Sequence, residues 1–292
     1  MKAGARKRAA EWLASGPSIV WLGLFFLVPT LLVFVLAFHP ANPYGGIGPG
    51  WTLANIRRLA DPAMLAVVRR TLEISLATTV ICLVLAVPVG YTLARVSAKR
   101  RNFFLMLVII PFWTNFLIRV FAWKTLLHPE GPIKHVLAFL GIVPAGASLL
   151  YRPEAVVLVS VYTFLPFTIL PIYAAAEKFD FRLVEAARDL GARPFQSFRK
   201  VFLPGIRRGL LTAVLVVFIP ALGSYIIPDL VGGPSGEMLG NKIAQRVFSD
   251  RNLPHASALS AVLVLAVLAP LVAVLVLQRK GRKSDIVMGE AP

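Results

Sequence analysis

Ser18 to Phe38 run for 21 residues without a charged side chain. At ~1.5 Å per residue, a helix of that length crosses the ~30 Å hydrocarbon core of a bilayer. Inside hydrocarbon the backbone must satisfy its own hydrogen bonds, so a run of this kind folds as a helix. Five more mainly apolar runs follow, at about Thr71–Ala94, Asn102–Leu127, Glu154–Ala176, Leu210–Pro228 and Ala256–Leu277. With 57% hydrophobic and only 15% charged residues, the chain reads as an all-α integral membrane protein of six transmembrane helices. Every run carries a proline (Pro29, Pro88, Pro111, Pro166 with Pro171, Pro220 and Pro270). That is either ordinary tolerance of proline in membrane helices or a bundle of bent helices around a path that opens and closes.

The net charge of +17 would suit a nucleic-acid binder if it formed one face of a soluble fold. Here the cations sit in short loops between the apolar runs, where they set topology. With the N-terminus inside, cytoplasmic segments hold 20 Lys and Arg and the outer loops hold 9, while Arg119 and Lys124 fall within the third run. Both termini are therefore expected in the cytoplasm, although Arg57, Arg58, Arg69 and Arg70 in the first outer loop run against the trend. The expected division is a basic N-terminus at 1–17, a first helix at 18–38, a five-helix core at 71–277 and a basic cytoplasmic tail at 278–292. The first run is too long for a signal peptide and no Ala-x-Ala site follows it, so it is read as uncleaved.

Catalytic signatures are missing. Cys82 is the single cysteine and lies in an apolar run, and His39, His128, His135 and His255 are scattered. There is no HExxH, no GxSxG and no phosphate-binding loop; Gly236 to Lys242 reads GEMLGNK, without the Gly-Lys-Ser/Thr ending. The chain is read as a non-enzyme with no metal and no cofactor, and any ATP would be hydrolysed on another subunit.

The longest charge-dense stretch lies at 177–208, between the fourth and fifth runs. From Lys178 to Arg208 it holds eight Lys and Arg against Asp180, Glu185 and Asp189. Asp180 suits an N-cap. Leu183, Ala186, Ala187 and Leu190 fall at i, i+3, i+4 and i+7, an apolar helical face, with Glu185, Arg188 and Asp189 turned away. Gly191 is placed to stop that helix, and Pro194 to open a second one whose apolar side is Phe195, Phe198 and Phe202. The competing reading is a basic amphipathic hairpin resting on the anionic inner leaflet.

Glu185-Ala186-Ala187, three residues, Gly191, nine residues and Val201-Phe202-Leu203-Pro204 resemble the EAA signature of permease subunits of bacterial ABC importers. Val201 stands where isoleucine is usual. The likeness is nearest to the spermidine/putrescine permeases, through PFWTNFLIR (Pro111 to Arg119), LPFTILPIYAAAEKFD (Leu165 to Asp180), EAARDLGA (Glu185 to Ala192), IPALGSYIIPDLVGG (Ile219 to Gly233) and LGNKI (Leu239 to Ile243). The resemblance implies a permease of the bacterial inner membrane, paired with a second related permease, two copies of a cytoplasmic ABC ATPase and a periplasmic solute-binding protein. It also implies that Glu185, Ala186, Ala187, Asp189, Gly191, Val201, Leu203 and Pro204 form the coupling loop that engages the ATPase.

A polyamine crossing low dielectric needs carboxylates, aromatic faces or carbonyl oxygens to replace its lost hydration. Glu73 and Asp229 are the few carboxylates near the runs, and Trp113, Tyr162 and Tyr225 offer aromatic faces. The other reading of Glu73 is an acid at the outer boundary paired with Arg69 or Arg70. The alternatives kept open are the same machine for an amino-acid derivative, an opine or a metal complex, and a self-contained secondary transporter. The last would call for inverted repeats or more charge inside the membrane.

Overall fold

The computed structural model describes residues 15–144 and 146–289, with side chains described through Val272 except Pro270. The basic leader Lys2 to Arg8 and the side chains of the basic tail lie outside this description. The described residues are helical apart from turns and one isolated bridge between Ala41 and Ile47.

Among the described residues, three helices are long and apolar enough to cross a membrane: α1 (Ser15–Leu36), α3 (Pro62–Arg95) and α7 (Pro153–Glu177). The count rises to five if each of two bent pairs is one span. The remaining helices are α2 (Ala54–Leu59), α4 (Ala98–Ile109), α5 (Phe116–Leu126), α6 (Pro132–Phe139), α8 (Arg182–Asp189), α9 (Pro194–Gly205), α10 (Arg207–Leu222), α11 (Leu239–Ala244) and α12 (Leu253–Gly289). The chain forms two compact units, Met1–Leu65 with Lys242–Val264, and Ala66–Asn241 with Leu265–Pro292.

In the first unit, none of the apolar stretch of α1 is buried within the chain, as suits a helix whose neighbours are lipid or another subunit. The loop leaving α1 is held by Asn55, which is buried and donates from Nδ2 to the carbonyls of Ala37 (3.1 Å) and His39 (2.8 Å). The short helix α2 ends at Leu59, and Pro62 opens α3 nine residues before the span was expected to start.

In the second unit α7 is the central helix, with half of its most apolar stretch buried. It packs closely on α10, where a side chain on Gly209 would meet Ala175 and the Pro171 carbonyl. Lipid tails are as apolar as leucine, so membrane helices associate through such close fits of small residues. Both long helices carry buried hydroxyls: Ser75, Thr78 and Thr79 on α3, and Ser160, Thr163 and Thr168 on α7. Thr79, Thr163 and Thr168 donate to the carbonyl four residues back, at 2.7, 2.8 and 3.0 Å, which keeps those hydroxyls bonded without water.

The third run is not one helix. Pro111 lacks an N–H to continue the ladder, and the chain tightens into a 3₁₀ turn at Ile110–Trp113. Thr114 is extended, and Asn115 restarts the helix by accepting the Leu117 N–H at 2.8 Å. The two halves, Ala98–Trp113 and Phe116–Leu126, meet at 90°. The fifth run also stops early: α10 ends at Leu222, and residues 228–232 form a separate π turn.

Candidate functional site

The charge-dense stretch folds as two short helices on a corner, and it is joined to the bundle. Asp180 accepts the Arg182 N–H at 3.0 Å as α8 begins, so the acid caps from just before the first turn. Gly191 has φ of +87°. Its N–H reaches the Arg188 carbonyl at 2.9 Å, while the Ala192 N–H reaches the Ala187 carbonyl at 3.0 Å. These paired bonds are the Schellman closure of a helix, which needs a left-handed residue at this position. Pro194 then starts α9, and Gln196 reaches back to the Arg193 N–H at 3.4 Å.

The apolar edges differ from the expected pattern. Val184 is the buried residue of α8, with Ala187 half-buried one turn on, while Leu183, Ala186 and Leu190 are exposed. Leu190 is 90% exposed. Period counting found an apolar stripe, but Val184 on the neighbouring stripe is the side chain the bundle takes. In α9, Phe195 is exposed, Ser197 and Phe202 are buried, and Phe198 is half-buried. A π turn over Phe198–Phe202 adds a residue to the helical repeat and turns Phe202 inward.

Phe202 is fully buried among Tyr91, Phe179, Phe181 and Phe198, with ring centroids 4.8 to 5.9 Å away. It belongs to a core with Ala86, Ile172, Ala176, Val184, Ile206 and Ala213, which ties α3, α7 and α10 to the corner. Polar contacts add to this. Arg101 pairs with Glu177 at 2.8 Å, and the Tyr173 hydroxyl donates to the same carboxylate at 2.6 Å. Across the corner, Arg188 Nε meets Ser197 Oγ at 3.4 Å. Ser197 and Tyr91 were not singled out from the sequence, and Arg188 was read only as part of a polar face; the aromatic spacing of Phe179, Phe181, Phe198 and Phe202 was the available signal.

Glu185, in the first turn of α8, and Asp189, at its end, are exposed. Val201 and Leu203 are half-buried and Pro204 is exposed on α9. The matched residues therefore share one surface unit with a buried aromatic root and an uncovered apolar edge.

The five pathway residues do not form one cluster. Glu73 sits 3.4 Å from Arg69, both exposed. Glu73 also lines a cleft of about 650 Å³ with Arg70 and Glu154 over Ile74, Ala77, Val157 and Leu158. Neither Asp229 nor Tyr225 lines that cleft. Asp229 is exposed in its π turn, its N–H bonded to the Tyr225 carbonyl at 3.0 Å. Tyr162 meets Trp123 edge-on at 5.2 Å, and Trp113 is 85% exposed at the break between α4 and α5.

Two crystal structures of a bacterial ABC transporter share this fold. One is described as involved in the import of the acidic polysaccharide alginate, with TM-score 0.69, 18% identity, and coverage of 95% of this chain and 98% of that one. The other holds an alginate pentasaccharide-bound periplasmic protein, with TM-score 0.70, 17% identity, and coverage of 93% and 94%. The chain belongs to the family of binding-protein-dependent transport system inner membrane components, which matches residues 86–282. It is 36% identical to the spermidine/putrescine transport system permease protein PotB of Escherichia coli, over 84% of this chain and 89% of that one. Identity to the PotB of Haemophilus influenzae is 39%, over 82% and 84%. The molybdenum transport system permease protein ModB of Azotobacter vinelandii is 31% identical over 58% and 73%. Proteins of this family are permease components of transport systems, not enzymes.

Proposed function

We propose that this chain is one of two permease subunits in an ATP-driven polyamine importer of the bacterial inner membrane. It spans the bilayer six times with both termini in the cytoplasm, and it works with a second homologous permease, two ATPase copies and a periplasmic binding protein. The observation that carries this reading is the bare apolar edge of α8. Leu183, Ala186 and Leu190 are exposed beside Glu185 on a corner otherwise rooted in the bundle. An exposed apolar edge with a charged rim is what a docking helix shows before its groove closes on it. The aromatic root then passes movement of α8 to α3, α7 and α10.

Polyamine as the solute is supported by the PotB relatives, which match at 36–39% identity across more than four-fifths of this chain. The few carboxylates, Asp229 and Glu73, with the aromatic faces of Trp113, Tyr162 and Tyr225, would offset the desolvation of ammonium groups on the outer side of the path. Reconstituted complex supplied with binding protein should hydrolyse ATP faster when that protein carries spermidine or putrescine. Stimulation by an amino acid or sugar, with none by polyamines, would overturn the substrate assignment and leave the importer class standing.

A further inference from the structure

Between α3 and α4 lies an apolar groove of about 440 Å³, walled by Pro88, Val89, Thr92, Leu93, Phe104, Leu107 and Val108. That volume falls in the ~300–1,000 Å³ range of small-molecule sites. Its walls are uncovered: Val89, Phe104 and Leu107 are each more than a third exposed. Helical register carries both walls straight into the turn that joins them, where Arg95, Lys99, Arg100 and Arg101 lie. Pro88, Thr92 and Arg95 fall at i, i+4 and i+7 on α3, and Arg100, Phe104, Leu107 and Val108 at i, i+4, i+7 and i+8 on α4. The cations there are not equivalent. Arg95 is held by the Tyr91 hydroxyl at 2.7 Å, with its guanidinium over the rings of Tyr91 and Phe181. Arg101 is committed to Glu177. Lys99 and Arg100 are exposed, and neither side chain has a hydrogen bond or ion pair among the described residues. Ser97 opens α4 without a side-chain cap, so first-turn N–H groups face the same place.

We propose that this groove seats one anionic phospholipid of the inner leaflet. Its acyl chain lies along Thr92, Leu93, Phe104 and Leu107, and its phosphate meets Lys99, Arg100 and the start of α4. An apolar slot continued by two unpaired cations matches an amphiphile with an anionic head, and a purely apolar partner helix would leave both cations idle. The inference rests on the cytoplasmic placing of the 95–101 turn in the proposed function. Because Arg95 also touches Phe181 at the entrance to α8, the lipid head sits beside the docking corner.

The test uses the intact complex in nanodiscs with equal phosphatidylglycerol and phosphatidylcholine, carrying Leu107→p-benzoylphenylalanine, with adducts identified by mass spectrometry after irradiation. Each cation beside an anionic surface changes binding about fivefold, so two give a preference of about 25-fold for phosphatidylglycerol. Lys99→Gln with Arg100→Gln should bring the adducts close to parity. Native mass spectrometry of the unlabelled complex, with and without the same two substitutions, guards against a fault of the probe by counting retained phosphatidylglycerol. Equal adducts in the unsubstituted complex, adducts to a protein helix, or a preference untouched by the substitutions would each overturn the proposal. None of these readouts involves transport, so they leave the polyamine reading to its own test.

Discussion

The rings of Tyr91 and Phe202 meet edge to face, 4.8 Å apart and 80° between planes. Tyr91 is near the end of α3, and Phe202 is brought inward by the π turn of α9. This contact makes the surface corner and the membrane helix one packed body, so a push on the corner has a stiff side chain to act through.

Phe202→Ala should release the corner. Emptying a fully buried phenylalanine site costs on the order of 3–5 kcal/mol. Hydrogen exchange over residues 182–203 is expected to speed up many-fold, while the middle of α7 keeps its protection. Unchanged exchange across the corner would mean that the aromatic root does not hold it.

Gly191 offers a separation of backbone strain from crowding. Its φ is +87°, yet a side chain there would meet nothing within 4 Å. Substitution therefore costs only the left-handed backbone, on the order of 1 kcal/mol for a residue with a β-carbon and more for a branched one. Transport and retention of the ATPase should fall in the order Gly, Asn, Ala, Val, since asparagine tolerates this region. A Gly191→Val complex that transports normally would remove the corner from the coupling reading.

Leu190→Asp and Glu185→Lys test the docking edge itself. Both side chains are exposed, so insertion and thermal stability should shift by no more than about 0.5 kcal/mol. Co-purification of the ATPase should nevertheless drop by about fivefold or more, as loss of a central interface contact costs above ~1 kcal/mol. Normal retention in both variants would leave an inert surface hairpin.

Topology is checked by fusion. A reporter placed after Lys200 should be active only in the cytoplasm, and one in the Gly141 region only outside. The reverse pattern would sink the orientation and the docking role together.

Local rules settle several features directly from the residue order. Uncharged runs such as Ser18–Phe38 demanded helices, the glycine at 191 demanded a left-handed corner, and Pro194 opened the helix after it. Those features answer to backbone geometry within a few residues, so no neighbour can move them far. Which stripe of α8 is buried was decided elsewhere. Leu183 and Leu190 are more apolar by period than Val184, but Val184 meets the surface offered by Ala86, Ile172 and Phe202. The 90° break at Pro111–Asn115 sits in a run whose composition alone reads as one span. A missing N–H at Pro111 and a capping Asn115 four residues later outweigh the apolar average. The two unpaired cations of the 95–101 turn are likewise a tertiary result. Arg95, Lys99, Arg100 and Arg101 are four like charges in the sequence, and only the packing of Tyr91, Phe181 and Glu177 against Arg95 and Arg101 singles out Lys99 and Arg100. Local backbone preference is written residue by residue, whereas burial and pairing depend on partners far along the chain.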